Sequence, residues 1–412
     1  MSKILMLQKM PCIRNWKYAN VLNDLGHEVY LGMLYNTLEQ YYTLPLDCYK
    51  EVFYATSVAG ISFTLPYFDI VHCHNESDML TMMAIAYAKG TGVKVIHDCH
   101  DWVAGRQQIS QEYLVNSIGA NILSDLVIYV SEVQRDYIRS KVGESQSENI
   151  VIYNAPLEKY IPKELKKKKE GDKLKIVYAG GVSEDPNSHR FFIPEFRELL
   201  RAGHEVYVYA PAISDEYKKL EGFSNYKNMG HCNYENLITE LSQYDIGILP
   251  FSKNQINQVH LDMGLPNKLF EYISAGLPVA CKKGFEQQEK FINENQVGFL
   301  YDGMEEFNKK VKNKDNYKLD RYKWTFDKEV KEKLLPYYDK LSAKNKYKKV
   351  EPKGKLELKE VKVSLEIYED AKKRQIGFFG RGHDKDLIFE SYMLEQGEKE
   401  NGDRRKENKN GK

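Results

Sequence analysis

The stretch "LNDLGHEVYLG" at Leu22–Gly32 returns as "LLRAGHEVYVY" at Leu199–Tyr209, with Gly-His-Glu-Val-Tyr intact in both. Each copy reads as the end of an amphipathic helix, stopped at Gly26 or Gly203, and then a β-branched and aromatic strand. Each is preceded by an apolar strand, "KILMLQ" (3–8) and "KIVYAGG" (175–181). Both halves therefore open strand–helix–strand, and the repeat predicts two similar α/β domains in series.

Reading outward, the first half continues with "FDIVHCH" (68–74), "VKVIHDCH" (93–100), "LVIYVS" (126–131) and "NIVIYNAP" (149–156). The second continues with "EVYVYAP" (205–211), "IGILPF" (246–251), "LPVACK" (277–282) and "VGFLY" (297–301). Unbroken apolar strands separated by helices fit parallel sheets covered on both faces. "LEKYIPKELKKKKEGDK" interrupts the pattern with charge. The expected layout is a domain over 1–156, a linker over 157–173, a second domain over 174–318, a closing helix over 319–343 kinked at Pro336, and a charged tail over 344–412. The tail is read as flexible, because mixed charge with few apolar residues buries little surface; its island "QIGFFGRGHDKDLIFESYML" (375–394) fits neither sheet.

Composition narrows the function. The 412 residues are enough for two domains, and the 42% that are hydrophobic supply cores for both. Sixty basic residues meet 59 acidic ones, so no net field draws nucleic acid. Cysteines at 12, 48, 73, 99, 232 and 281 have no zinc-finger or thioredoxin spacing, which points to a reduced, cytoplasmic setting. No apolar run nears the roughly 20 residues that span a bilayer, so any membrane role would be peripheral, at the inner face.

Ligands of doubly wound sheets sit beyond the carboxyl ends of the strands. Three groups of residues fall there. "VHCHN" (71–75) and "IHDCHD" (96–101) close two strands. By the two-residue period, His72 and His74 share one face of their strand, and Asp98 and His100 share one face of theirs. With Asp101 these residues could serve proton transfer or sugar hydroxyls, bind a metal, or be satisfied strand ends. In "YAGGVSEDPNSHR" (178–190), Gly180 and Gly181 would let backbone approach a phosphate ahead of a helix starting after Pro186, with Arg190 in reach of an oxyanion. A plain turn is the alternative.

The third group is "LPNKLFEYISAGLPVA" (265–280). Pro266 suits the first helical position and leaves the next amides open to an anion. Lys268 stands where the helix dipole favours negative charge. Glu271 could accept from two adjacent hydroxyls, such as those of a ribose. The alternative is a solvated ion pair between Lys268 and Glu271, worth at most about half a kcal/mol.

Together these stretches resemble the GT-B glycosyltransferases, in particular the retaining family 4, over roughly residues 1–341. "PNKLFEYISAGLPVA" looks like that family's signature helix, which implies that Glu271 holds the nucleotide ribose. The same resemblance implies that Pro266, Asn267 and Lys268 line the donor diphosphate and that Gly180 and Gly181 form the phosphate turn. His100 matches the histidine at the donor sugar. The chain departs from the family's pattern at Met263, where many members carry a glutamate, with Asp262 beside it. It departs again in "SEDPNSHR", where Arg190 is the candidate basic residue, and in "QKMPCIRNW" (8–16), which replaces a glycine-rich loop and sets Arg14 toward the acceptor.

The expectation is a glycosyltransferase that moves a sugar from a nucleotide sugar to a glycan or lipid-linked hydroxyl acceptor, in building a surface polysaccharide or lipid-linked glycan. Retention and independence of metal or other cofactors come from the resemblance. Its catalytic candidates are His100, Asp101 and Asp98; its donor site is Gly180, Gly181, Arg190, Pro266, Asn267, Lys268 and Glu271. The rivals are a metal-dependent hydrolase using His72, His74, Asp98, His100 and Asp101, a nucleotide-sugar-binding partner without turnover, and a nonhydrolysing sugar-nucleotide epimerase.

Overall fold

The computed structural model describes residues 1–343 except 10, 35–43, 56–59, 62–63, 76, 89–90, 103–110, 144–146, 167–172 and 254–257. The tail expected over 344–412 lies outside the described residues.

The first sheet holds β1 (Lys3–Gln8), β2 (Glu28–Leu34), β3 (Glu51–Ala55), β4 (Ile70–His74), β5 (Lys94–Cys99), β6 (Leu126–Tyr129) and β7 (Glu148–Val151), in the spatial order 3-2-1-4-5-6-7. The second holds β8 (Lys175–Ala179), β9 (Glu205–Tyr209), β10 (Tyr226–Gly230), β11 (Ile246–Leu249), β12 (Val279–Lys282) and β13 (Gly298–Tyr301), in the order 10-9-8-11-12-13. Every strand pairing among the described residues is parallel. These are two Rossmann-like domains, as the repeated opening implies. The central strands β1, β4, β6, β8 and β11 are buried along nearly their whole length, which explains the apolar sequence of β1, β6, β8 and β11, while β4 carries the buried His72 and His74.

Two strands escape the apolar-run criterion. "EVFYA" forms β3 and "YKNMG" forms β10, and both are edge strands with exposed positions. An edge strand needs less apolar sequence than a central one.

In each sheet the order reverses beside the first strand, between β1 and β4 and between β8 and β11. A crevice opens at such a reversal, because the loops leaving the two strands turn to opposite faces. The residues after β1 and β4 and after β8 and β11 are therefore placed to form a site.

The final helical run returns to the first domain. It comprises Phe326–Glu329, a widened π turn at Val330–Leu334, and Leu335–Ala343. Phe326, Val330, Leu334, Tyr338 and Leu341 are buried among Ile4, Trp16, Tyr18 and Ile128 of the first domain. Trp324, two residues before Phe326, packs instead on the second core. The Phe326 amide donates to the Pro156 carbonyl at 2.8 Å, and the Tyr153 amide donates to the Glu329 carboxylate at 3.0 Å. The disturbance expected at Pro336 is the π turn just ahead of it. Proline lacks the amide and crowds the carbonyl four residues back, and the wider turn makes room.

Candidate active site

The strand ends of the two sheets face each other across a cleft of about 1030 Å³. The first domain contributes Cys12, Arg14, His100, Asp101 and Asn154. The second contributes Gly180, Gly181, Arg190, the turn Gly264–Lys268, and Glu271, with Tyr209–Pro211 and Gly230–Cys232 at one end.

The turn after β8 is shaped for cations. Gly180 has φ +135°, a conformation that side chains disfavour. A β-carbon there would lie 2.8 Å from the Lys268 ammonium, and one at Gly181 would lie 3.0 Å from an Arg190 guanidinium nitrogen. The two glycines leave the space in which Lys268 and Arg190 converge. Arg190 comes back to that point because the loop closes on itself, the Ser183 amide donating to the Arg190 carbonyl at 3.0 Å. The helix expected after Pro186 starts only at Ile193, so loop backbone, and not the start of that helix, follows the glycines.

The helix Asn267–Ser274 has Pro266 as its N-cap, one position earlier than expected. Lys268 and Glu271 do not pair with each other. The Lys268 ammonium donates to the Tyr178 hydroxyl at 2.9 Å and lies over the Tyr178 and Phe251 rings, at 4.5 and 5.0 Å from their centroids. Burial, with Arg190 nearby, lowers its pKa to about 7. Glu271 is 5% exposed, and among the described residues its carboxylate has no hydrogen-bond or ion-pair partner. Burial raises its pKa, against the pull of Lys17 and Lys268. A buried acceptor with no donor, opening on a cleft, is an incomplete arrangement that a ligand with hydroxyl donors would complete.

Lys17 was not singled out from the sequence. It sits wholly buried in the helix Ile13–Asp24, donating to the Asn154 and Ala155 carbonyls at 3.2 and 2.8 Å. Burial depresses its pKa to about 8, with Glu271 across the domain boundary acting the other way. One lysine inside an amphipathic helix gives no sign of this in sequence.

Beneath the cleft lies a polar network. The register sets His74 beside Asp98, and the His72 and His74 rings stack at 4.6 Å. Arg14 donates through Nε to both Asp98 oxygens at 2.9 and 3.0 Å, and through Nη1 to Asn154 at 2.7 Å. Arg14 is thus bound inward, with its guanidinium held by Asp98 and Asn154, where sequence set it toward an acceptor. Asp98 is wholly buried and does not reach the cleft; this corrects its expected catalytic placement to a positioning one. It accepts from His100 Nδ1 at 3.1 Å, so His100 turns Nε2 to the cleft side. Burial opposes ionisation of Asp98, but Arg14, His100 and His72 together hold its pKa well below the usual carboxylate range.

His72, His74 and Asp98 have ligand-type atoms within 4.8 Å of one another. A metal does not fit them well. The carboxylate is already spanned by the Arg14 guanidinium, a cation that would repel a second one. His100 and Asp101 stand outside that group. His97 faces the opposite side of β5, 3.1 Å from the Thr81 hydroxyl, and lies away from the cleft.

Asp101 meets the second domain, its carboxylate 3.2 Å from His260 Nε2. Nearby, the Ser131 hydroxyl donates to the Met263 carbonyl at 2.5 Å. Met263 is buried against Cys99, Trp102, Tyr129 and Val151 of the first domain. At the position where sequence leaves a glutamate wanting, the side chain therefore serves the domain interface.

Comparison with known proteins agrees with this fold. Residues 18–155 match the family model for Glycosyltransferase Family 4, and residues 176–335 match that for the Glucosyltransferase 3-like C-terminal domain. A glycosyltransferase family model thus matches on each side of the cleft. The solved structure of HepE from Anabaena in complex with UDP-glucose superposes with a TM-score of 0.57 at 13% identity, covering 83% of this chain and 98% of that one. The lipopolysaccharide outer core galactosyltransferase WaaB gives 0.53 at 14%, covering 83% and 97%. AviGT4, a glycosyltransferase involved in avilamycin A biosynthesis, gives 0.52 at 15%, covering 83% and 98%. The shared fold is GT-B. No curated protein sequence matches the chain.

Proposed function

We propose that this protein, whose two domains each match a glycosyltransferase family model, transfers a sugar from a nucleoside diphosphate sugar to a hydroxyl acceptor. The observation that carries the reading is the unpartnered Glu271 carboxylate one helical turn behind Lys268 and Arg190. A ribose offers two adjacent hydroxyl donors to a carboxylate that only accepts. A diphosphate offers the negative charge that Lys268, Arg190 and the first-turn amides of the helix Asn267–Ser274 lack. UDP is the first donor nucleotide to test, since HepE binds it in the solved complex.

In this reading His100 contacts the sugar from the first domain. The leaving diphosphate is stabilised by fixed cations and amides, an electrostatic contribution that calls on no metal ion. Configuration at the anomeric carbon is retained, following the family resemblance. The acceptor is a glycan or lipid-linked hydroxyl met in assembling a surface polysaccharide or lipid-linked glycan. The protein works in the cytoplasm, with access to the inner face of the membrane. Among the described residues no helix is long and apolar enough to cross a membrane.

Calorimetric titration of UDP and UDP-glucose tests the donor site, and release of UDP in the presence and absence of candidate acceptors tests transfer. Saturable binding with acceptor-dependent release is the expected outcome. Binding by neither, nor by other nucleoside diphosphate sugars, refutes the reading. Binding without release across a broad acceptor panel favours the partner without turnover.

A further inference from the structure

The cleft holds a sulfur that neither the donor site nor the proposed transfer uses. Cys12 follows β1, lines the cleft, and is the N-cap of the twelve-residue helix Ile13–Asp24. Its Sγ lies 3.9 Å from His100 Nε2, and His100 Nδ1 lies 3.1 Å from the Asp98 carboxylate. Thiol, imidazole and carboxylate therefore stand in line, with the last ion held in place by Arg14.

Three features favour negative charge on this sulfur. The charged groups facing it are all basic: His100, Arg14 and Lys17. The helix N-terminus contributes its partial positive charge at the cap position. Asp98, the one acid in the group, sits behind His100 and stabilises the imidazolium, with His74 and His72 beyond it. Burial would raise the Cys12 pKa, yet His100, together with hydrogen bonds from the Asn15 backbone and the Gln8 side chain, outweighs it and the net shift is downward. His100 shows the counterpart: burial opposes its charge, while Cys12 and Asp98 raise its pKa well above the ordinary value. Cys232 provides the contrast inside the same cleft. It is also half-buried, but its sulfur contacts a backbone carbonyl at 3.5 Å and burial raises its pKa. Cys48, Cys73, Cys99 and Cys281 are buried.

We propose that Cys12 is a modification site for hydroperoxides and soft electrophiles, and that its oxidation shuts the cleft to the sugar. The sulfur lone pair attacks one peroxide oxygen, an S–O bond forms and the O–O bond breaks. Sulfur loses two electrons to the peroxide. The departing hydroxide, or alkoxide from an organic hydroperoxide, takes the proton of His100 Nε2 and leaves as water or an alcohol, so His100 becomes neutral. A small thiol returns the sulfenic acid to the thiol by way of a mixed disulfide, releasing water in the first exchange. The added oxygen occupies the space beside His100, and the loss of the imidazolium removes a cation from the sugar end of the cleft. The reactivity of the sulfur stands apart from the proposed transfer; the effect on turnover rests on it.

The test uses the full chain and reads each cysteine separately by peptide mass spectrometry. Iodoacetamide at pH 6.5 should label Cys12 at least tenfold faster than Cys232, with the four buried cysteines unlabelled as the folding control. His100→Gln should bring the Cys12 rate down to that of Cys232 while the buried cysteines stay silent. Equal rates in the parent, or a Cys12 rate unchanged by His100→Gln, would overturn the proposal. Peroxide should then add one oxygen at Cys12 and remove most of the UDP release, and a thiol reductant should restore both. Cys12→Ser should lose no fraction of its own activity to peroxide. Turnover that survives stoichiometric oxidation of Cys12 overturns the gating role. Absence of UDP release before any oxidant is added strikes at the transfer reading alone and leaves the labelling result to judge the sulfur.

Discussion

Asp101 of the first domain and His260 of the second hold each other at 3.2 Å across the mouth of the cleft. Both side chains are partly exposed, so the pair is worth no more than about 1 kcal/mol. His260→Ala should raise the donor KM by at most about fivefold. Ser131→Ala should cost more, because it strips a buried partner from the Met263 carbonyl, a loss of about 1–3 kcal/mol. Donor KM values for the two variants, measured side by side, check this ranking; the reverse order would show that the closure rests on the mouth and not on the Met263 interface.

Glu271 should govern nucleotide affinity. Hydrogen bonds to a charged acceptor are worth roughly 1.5–3 kcal/mol each. Glu271→Ala should therefore weaken UDP binding by about tenfold to a thousandfold, with Glu271→Gln between parent and alanine. Titrating UDP without any sugar isolates the ribose contact. Equal affinity in all three proteins would remove the main support for the donor site.

The Lys268 ammonium, with a pKa of about 7 in the free protein, should make donor binding pH-dependent. A bound diphosphate raises that pKa, so the complex holds a proton that the free protein has lost above pH 7. Affinity for UDP-glucose should be flat below about pH 7 and fall above it, by up to about tenfold per pH unit. Proton uptake on binding, read by calorimetry in two buffers of different ionisation enthalpy, gives the sign directly. Lys17 titrates near pH 8, and Lys268→Met separates the two by abolishing the lower step.

His100 should act on turnover more than on binding. A contact that strengthens in the transition state lowers kcat when removed and leaves ground-state affinity nearly intact. His100→Ala should bind UDP-glucose as the parent does and release UDP at least about a hundredfold more slowly, the cost typical of losing one such donor. Lost affinity with normal kcat at saturation would reassign His100 to donor binding.

Leu334 sits wholly buried in the first domain's core, although it belongs to the last helical run. Leu334→Ala should cost about 2–5 kcal/mol. Urea unfolding should show that loss in the transition that includes Trp16, its neighbour in the core.

Much of the fold is legible because central parallel strands are largely apolar, and "KILMLQ" and "KIVYAGG" announce themselves. The edge strands β3 and β10 are not, since half of each faces solvent. The residues lining the cleft are largely legible as strand-end and helix-start polar groups. Which of them touch solvent is not. Asp98 and His100 are two residues apart on one face, yet only His100 reaches the cleft, because Arg14 from another element draws Asp98 inward. Lys17 facing Glu271, and Cys12 facing His100, are contacts between distant segments that no local pattern encodes.

The return of the last helix has a consequence for synthesis. The chain crosses between the domains twice, once after Pro156 and again between Trp324 and Phe326. The first domain to leave the ribosome is thus the last to be completed. Until residue 326 and beyond emerge, Trp16, Tyr18 and Ile128 face an open groove where the helix will lie. A nascent chain spends that interval with an exposed apolar face, whereas the second domain has its fully buried core within residues 155–311 and is closed by Trp324, just before the chain crosses back.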